Sequence, residues 1–474
     1  MFACEALISN IFRMSQGKNL LQMGNIAGIL KDFFAAYQQK VTQATAPGSL
    51  DVMGGATDVA GSLLLQKPLE PVSTAYVAPR DDQTITLKII HQGTPTHDLA
   101  CKYPELIGEF PTIRYDYTRQ QIKQLHPDDV IVALLGCLVI LYTDRKIKFE
   151  GLAIVLVSDL PGGAGAGAIA SLEIALLKAV SSSLNLTIEA NELSLLAHRA
   201  ENWVGGFATG PGRQLTSYQN NPQQLIPLRC QPAATYHPID LPDSLSFVGI
   251  GTGASVTLRN AAAERVRVAM FMGYSIIALA KGASVRDLEI ARETGDWSLL
   301  PYEGYVGNIS PSAFEDAFVP LLPHKLTGQD FFDKYQTSID IISFIDRDQE
   351  YEVLKCTRLP VYENFRVQLF AQIIKNYSTE FQNYANRLNL MGELMYQSHQ
   401  NYSDCGLGHP LADKIVEQVK AVGPRKGLYG ARLTAPGNGG MVCILSSGLS
   451  GPESIRQIQE HHQQQIENPV ALFR

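Results

Sequence analysis

The chain has 474 residues, a formal net charge of −7, and 45% hydrophobic and 18% charged residues. Such a length accommodates two large domains, since single cores stop growing near roughly 250–300 residues. The acidic balance argues against a sequence-independent nucleic-acid binder, which carries a basic excess or stripe.

Residues 1–42 read as a leader. Glu5 and Arg13 interrupt its apolar start, so no signal peptide is expected. Leu20, Leu21, Met23, Ile26, Ile29, Leu30, Phe33, Phe34 and Tyr37 recur at helical spacing and predict an amphipathic helix. That helix either docks on its own domain or offers its face to a protein partner. A turn of small residues follows, Ala46-Pro47-Gly48-Ser49-Leu50-Asp51-Val52-Met53-Gly54-Gly55-Ala56-Thr57-Asp58, then an apolar strand to Leu65 and further strands around Ala75 to Ile90. His126-Pro127-Asp128-Asp129 opens a helix carrying the apolar run Val130 to Tyr142, which is too short for a membrane span of about 20 residues. No membrane partner is expected.

The next stretch organises the reading. An apolar strand, Val155 to Ser158, runs into Leu160-Pro161-Gly162-Gly163-Ala164-Gly165-Ala166-Gly167 and then into an apolar helix from Ala170 to Ser182. Glycines let the backbone approach an anion, and the first N–H groups of the helix would point at it. Neither the Gly-Lys-Ser/Thr ending of a Walker loop nor the acidic residue of a dinucleotide fingerprint is present. A phosphate or nucleotide held by backbone groups fits this pattern, and so does a tight turn packed with small residues. A second helix is expected from Glu189 towards Trp203, and a solvated final helix after Ser450, with His461 and His462 on the surface rather than on a metal. Cys4, Cys101, Cys137, Cys230, Cys356, Cys405 and Cys443 are scattered without C-x-x-C spacing. They suit a reducing compartment, so the expectation is a cytoplasmic protein without disulfides.

The glycine stretch resembles the second motif of the GHMP kinases, Pro-x-x-x-Gly-Leu-x-Ser-Ser-Ala. Two further segments narrow the likeness to the L-arabinokinases and galactokinases. Ala46 to Leu63 resembles Ala-Pro-Gly-Arg-Leu-Asp-Val-Met-Gly-Gly-x-x-Asp-Tyr-x-Gly-Ser-Leu, and Glu201 to Ser217 resembles, without a gap, Glu-Asn-x-x-Val-Gly-Ala-Pro-Cys-Gly-Val-Met-Asp-Gln-Met-Thr-Ser. The resemblance spans about residues 40–450. It implies an α/β (α+β) class with the two-domain GHMP kinase fold and a cleft between the domains: a leader at 1–42, an N-terminal domain with a mixed sheet at 43–245, and a C-terminal domain at 246–474. The second domain should hold a mostly antiparallel sheet with helices on one side. The same resemblance puts ATP phosphates on Gly162, Gly163, Gly165 and Gly167, sugar hydroxyls on Asp58, and Mg2+ on Glu201.

The motifs are degenerate where chemistry should sit. Ser49 stands where the family has arginine, Gly167-Ala168-Ile169 where it has serines, and Arg213 where it has the catalytic aspartate facing the hydroxyl to be phosphorylated. Gly251, Ser255 and Val256 replace an aspartate, an arginine and a histidine, and Ala263 replaces a sugar-facing tyrosine. A third glycine-rich motif survives at Leu428 to Leu445, with Ala435-Pro436 in place of two glycines. An arginine accepts no proton at physiological pH. The expectation is therefore a pseudokinase: a carbohydrate-kinase homologue without phosphotransfer, retaining a nucleotide or phosphate ligand with weakened Mg2+ dependence, in a regulatory or interaction role. The alternatives are an active ATP-dependent sugar 1-kinase of arabinose or galactose type, and an enzyme turned to an anionic substrate through Arg213. That side chain is predicted to point between Gly162–Gly167 and Asp58, and to meet Asp58, Glu201 or an anionic ligand.

Overall fold

The computed structural model describes residues 20–35, 37, 41–147, 150–376 and 384–474. The first half of the leader, with Cys4, lies outside the described residues.

Strand-forming runs dominate from Thr42 onward. β1 (Thr42–Met53) and β2 (Leu63–Arg80) form a long antiparallel ribbon, from Thr42 opposite Val77 to Met53 opposite Leu65. β3 (Thr84–His91) pairs with β4 (Thr94–Lys102) antiparallel and with β5 (Gly151–Ser158) in parallel. β2 bridges β5 to β6 (Gln224–Arg229), and the short β7 (Ala234–Thr235) and β8 (Ile239–Asp240) complete an eight-stranded mixed sheet.

Strand alternation sorts the faces of this sheet. Ala75, Val77, Ile154 and Leu156 face the helices Asp129–Arg145 and Ala168–Ser183, while Tyr76, Ala78, Ala153 and Val155 face the helix Leu20–Phe34. The helix Asp129–Arg145 is buried continuously from Ile131 to Tyr142, as a segment apolar all round must be. Its start is fixed by Asp128, whose carboxylate accepts the Val130 N–H at 2.9 Å. Ala27, Leu30 and Phe34 of the leader helix are buried against the sheet, so this helix docks on its own chain through that face.

β9 (Leu245–Gly251), β12 (Leu428–Leu433), β13 (Met441–Ser447) and β14 (Leu472–Phe473) form a second, antiparallel sheet in the order β12-β13-β9-β14. β10 (Leu326–Thr327) and β11 (Glu350–Tyr351) pair apart from it. Val248, Ile250, Val442 and Ile444 pack under the helices Pro410–Val422 and Gly451–Gln463. The opposite face, Phe247, Met441, Cys443 and Leu445, meets Leu50, Val52 and Leu65 of the first sheet together with the helices Val353–Lys375 and Tyr384–Asp404. Helices therefore flank this sheet on both faces rather than on one. His462 also departs from expectation: it is buried, with Nε2 3.0 Å from the Thr252 carbonyl, because its position faces β9 while His461 faces solvent. Among the described residues no helix is long and apolar enough to cross a membrane.

A buried ion pair ties the two sheets. Arg432 of β12, with no exposed surface, donates to Asp51 of β1 at 2.9 Å and to Ser398 at 3.0 Å, and lies over the Tyr402 ring. Asp51 also accepts the N–H groups of Gly55 at 3.0 Å and Ala435 at 2.9 Å, so it fixes the turn that follows β1 and the turn that follows β12 at once.

Candidate functional site

A cleft of ≈ 630 Å³ opens between the glycine stretch, the turn after β1 and the helix Ala261–Ala280. Gly162, Gly163, Gly165, Gly167, Asp58, Glu201 and Arg213 all line it, so chain segments more than a hundred residues apart converge as the motifs implied. Gly163, Gly165 and Gly167 have φ of 71°, 80° and 70°, the left-handed region that glycine adopts without penalty. Each is also closely approached from behind. A Cβ at Gly163 would lie 2.1 Å from Ser255 Oγ, one at Gly165 3.2 Å from Gly440 Cα, and one at Gly167 2.4 Å from Ser49 Oγ. The loop is braced as well, since Val256 N–H donates to the Gly163 carbonyl at 2.8 Å and Ser49 N–H to the Ala166 carbonyl at 2.9 Å.

The helix Ala168–Ser183 begins directly on this loop. Its first N–H to bond back is Ser171, to Gly167 at 2.9 Å, leaving the amides of Ala168, Ile169 and Ala170 as the first-turn donors of a 16-residue helix with Gly167 as cap. Their side chains offer a methyl, an isoleucine and another methyl, and Ala168 and Ile169 line the cleft. The site has backbone donors and no hydroxyl at this position.

Asp58 sits in the short 3-10 helix Gly55–Ala60, accepting Val59 N–H at 2.8 Å and Gly212 N–H at 3.4 Å. It is partly open to the cleft but deep below the molecular surface. Burial pushes its carboxyl up to about 6, against the pull of those two N–H groups and of Arg267 and Arg213. Glu201 lies in a π-helical turn, Ala200–Gly205, that extends the helix Ala190–Arg199. The Thr209 hydroxyl donates to it, and burial raises it to about 7.

Arg213 is the second residue of the helix Gly212–Tyr218 and points into the cleft, as predicted. Its partner differs from the prediction. Its Nη2 donates to the backbone carbonyl of Ala435, and among the described residues no carboxylate lies within 4.0 Å of it. Asp51 already holds Ala435 N–H, which brings that carbonyl to the guanidinium, while Asp58 and Glu201 are committed to N–H and hydroxyl donors. Burial depresses the guanidinium pKa, with Asp51, Glu201 and Asp58 opposing.

Three contributors escaped sequence reading. Glu173 is fully buried, accepts from Gln214 Nε2 at 3.1 Å, and has its Oε1 without a partner; burial, with Glu201 nearby, holds it well above the carboxylate range. Arg267 pairs in bidentate fashion with Asp340, at 2.9 Å for both contacts, and donates to the Thr209 carbonyl at 3.2 Å. Ala435 carries its role in backbone atoms. Two of these left a trace, since Glu173 and Arg267 are charged positions within mostly apolar helices. Among the eroded positions, Ser255, Val256 and Ala263 line the cleft, whereas Ser49 is buried under Gly167.

Comparison with known proteins gives these likenesses. Residues 133–220 match the GHMP kinases N terminal domain. An Arabidopsis thaliana L-arabinokinase is 28% identical across 90% of this chain, which spans 45% of that longer protein. Lactococcus lactis galactokinase, solved with galactose, superposes with a TM-score of 0.66 at 16% identity, covering 94% of this chain and 96% of its own. Methanococcus jannaschii mevalonate kinase follows with a TM-score of 0.51 at 14% identity, covering 93% and 99%. Residues 133–220 thus resemble a GHMP kinase N-terminal domain, and the chain that carries them has the GHMP kinase fold.

Proposed function

We propose that this chain is a sugar-kinase homologue of the arabinokinase and galactokinase type that has given up phosphotransfer and uses its cleft to bind a nucleotide or other phosphate ligand in a regulatory or interaction role. The observation that carries this reading is Arg213, a fixed cation in the cleft beside Asp58 and Glu201, at the position where relatives of this type would present a carboxylate. Phosphoryl transfer relies chiefly on positioning and charge stabilisation, with a carboxylate to orient the nucleophile. A guanidinium here attracts an anion and takes no proton.

The residues fit a phosphate. Three first-turn amides, a left-handed glycine loop and Arg213 offer donors to one space, and ATP, when bound, would bring its own anionic phosphates to them. The fit to Mg2+ is poorer. Burial disfavours the ionisation of both Glu201 and Asp58, and Gly167 to Ile169 supply no hydroxyl. Among the described residues no group of three His, Cys, Asp or Glu side chains is placed to hold a metal.

A second reading, an active sugar 1-kinase, is favoured by Asp58, whose pKa of about 6 would suit a proton acceptor. One pair of measurements separates the two. Calorimetry with ATP, ADP and inorganic phosphate should show saturable binding that changes little when Mg2+ is removed. Coupled assays with arabinose, galactose and glucuronate should show no sugar-dependent ADP release. The absence of any heat with all three ligands would refute the binding role, and sugar-dependent turnover abolished by Glu201→Ala would establish the kinase instead.

A further inference from the structure

Alternation along β2 sends two adjacent side chains to opposite faces of the sheet. Gln66 faces the cleft and accepts from Thr216 Oγ1 at 3.0 Å. Lys67 stands instead in a row with Leu65 and Leu69, both buried in the core between the two sheets. Lys67 is 6% exposed, and among the described residues nothing hydrogen-bonds or ion-pairs with its Nζ. Glu70 and the Cys443 thiol are the titratable groups whose fields reach it, and burial lowers its pKa despite both. A desolvated ammonium without a partner is costly, so a lysine this deep implies a polar space at its tip.

That space exists. A second pocket of ≈ 230 Å³ lies on the far side of β2 from the cleft, lined by the charged Lys67, Glu70 and Arg474 and by Ser246, with Leu241 and Phe247 among its apolar walls. We propose that it is a separate ligand site that takes a small organic carboxylate with a short apolar tail, the carboxylate on Lys67 Nζ and the tail against the apolar walls. The size is below the roughly 300–1,000 Å³ of sites for drug-sized ligands, which sets the ligand as small. Lys67 is the buried cation of this pocket and Arg474 an exposed one, while the Glu70 carboxylate repels a second negative charge, so the site suits a monoanion better than a phosphate dianion. This site is independent of how the cleft is read.

The test is calorimetry on the full chain with butyrate, n-butanol and inorganic phosphate. Butyrate should saturate one site, with the neutral alcohol and phosphate at least about tenfold weaker at it. Lys67→Met keeps the length and removes the desolvated charge, so it should fold with an unchanged or higher Tm while losing at least about tenfold in butyrate affinity. Arg213→Ala, in the cleft, should leave butyrate binding unchanged. On the unaltered protein, butyrate should protect Lys67 from acylation by acetic anhydride, read by peptide mass spectrometry, which keeps the test valid if the variant fails to fold. Butyrate binding retained in Lys67→Met, no saturable butyrate site, no protection of Lys67, or a Lys67-dependent preference for phosphate would each overturn the proposal.

Discussion

Arg432 and Arg213 reach the same junction between the two sheets and are linked through Asp51 and Ala435, yet their surroundings are opposite. Arg432 is enclosed and held by Asp51, Ser398 and the Tyr402 ring, with only its Nη2 left without a partner among the described residues. Arg213 is half-buried, faces a cleft, and is held by a single carbonyl of Ala435, whose N–H is in turn held by Asp51. The difference teaches what each charge is for. A buried arginine that serves the fold is matched by a carboxylate, whereas one left without a carboxylate at the mouth of a ligand space has its strongest partner still to come.

The largest expected effect tests the first half of this contrast. Asp51→Ala or Arg432→Met leaves the other charge buried alone and should cost about 3–5 kcal/mol in chemical denaturation. The double variant should cost less than the two losses together, because neither charge is then orphaned. Arg213→Ala, by contrast, should change stability by less than about 1 kcal/mol while weakening phosphate or ATP binding about tenfold. A large stability loss at Arg213 with unchanged ligand affinity would dissolve the distinction between the two arginines.

The same contrast governs what could be read from the chain. The glycine loop, Asp58 and Glu201 were legible because each belongs to a contiguous motif whose backbone geometry is local, such as the left-handed glycines before the helix at Ala168. The position of Arg213 was legible for the same reason, through an ungapped match. Its partner was not, since a backbone carbonyl has no side-chain signature. The Asp51–Arg432 pair joins positions 381 residues apart, a separation over which periodicity and motif spacing carry no information. Adjacent helix positions point to different faces, which argues against a paired metal site but does not say which histidine turns inward; His462 does, onto the Thr252 carbonyl just past β9. The mixed first sheet and antiparallel second sheet followed from the family resemblance rather than from strand patterns.

A middle-sized effect comes from the cleft carboxyls. Burial raises Glu201 from the ordinary glutamate value of 4.5 to about 7, so between those limits the folded chain binds more protons than the unfolded one. Stability should therefore fall as pH rises through that window and stay low above it. Glu201→Gln retains an acceptor for the Thr209 hydroxyl and removes the ionisation. It should be more stable than the unaltered chain by about 1–3 kcal/mol at pH 8 and indistinguishable from it near pH 4. Denaturation midpoints at the two pH values check this. A variant less stable at pH 8 would mean that Glu201 is ionised and paired in the native cleft, and Mg2+ binding would then become the better account of that residue.

The smallest expected effect is the absence of one. Arg213→Asp alone should not produce phosphotransfer to arabinose or galactose above background, because the cleft lacks more than a carboxylate. Ala168 and Ile169 still present hydrocarbon where the resemblance calls for a hydroxyl near the metal. Ser49 cannot simply be returned to arginine, since Gly167 sits with its back 2.4 Å, as an added Cβ would measure it, from Ser49 Oγ, and Ala166 bonds to Ser49 N–H. A longer side chain at 49 would have to lift the glycine loop that Ser255 and Gly440 brace from the other side. Losses of about a hundredfold for each missing group, on the order of 3 kcal/mol of barrier apiece, leave a single reversion undetectable. Sugar-dependent ADP release by Arg213→Asp, lost again on adding Glu201→Ala, would instead show that one arginine is all that holds this cleft inactive.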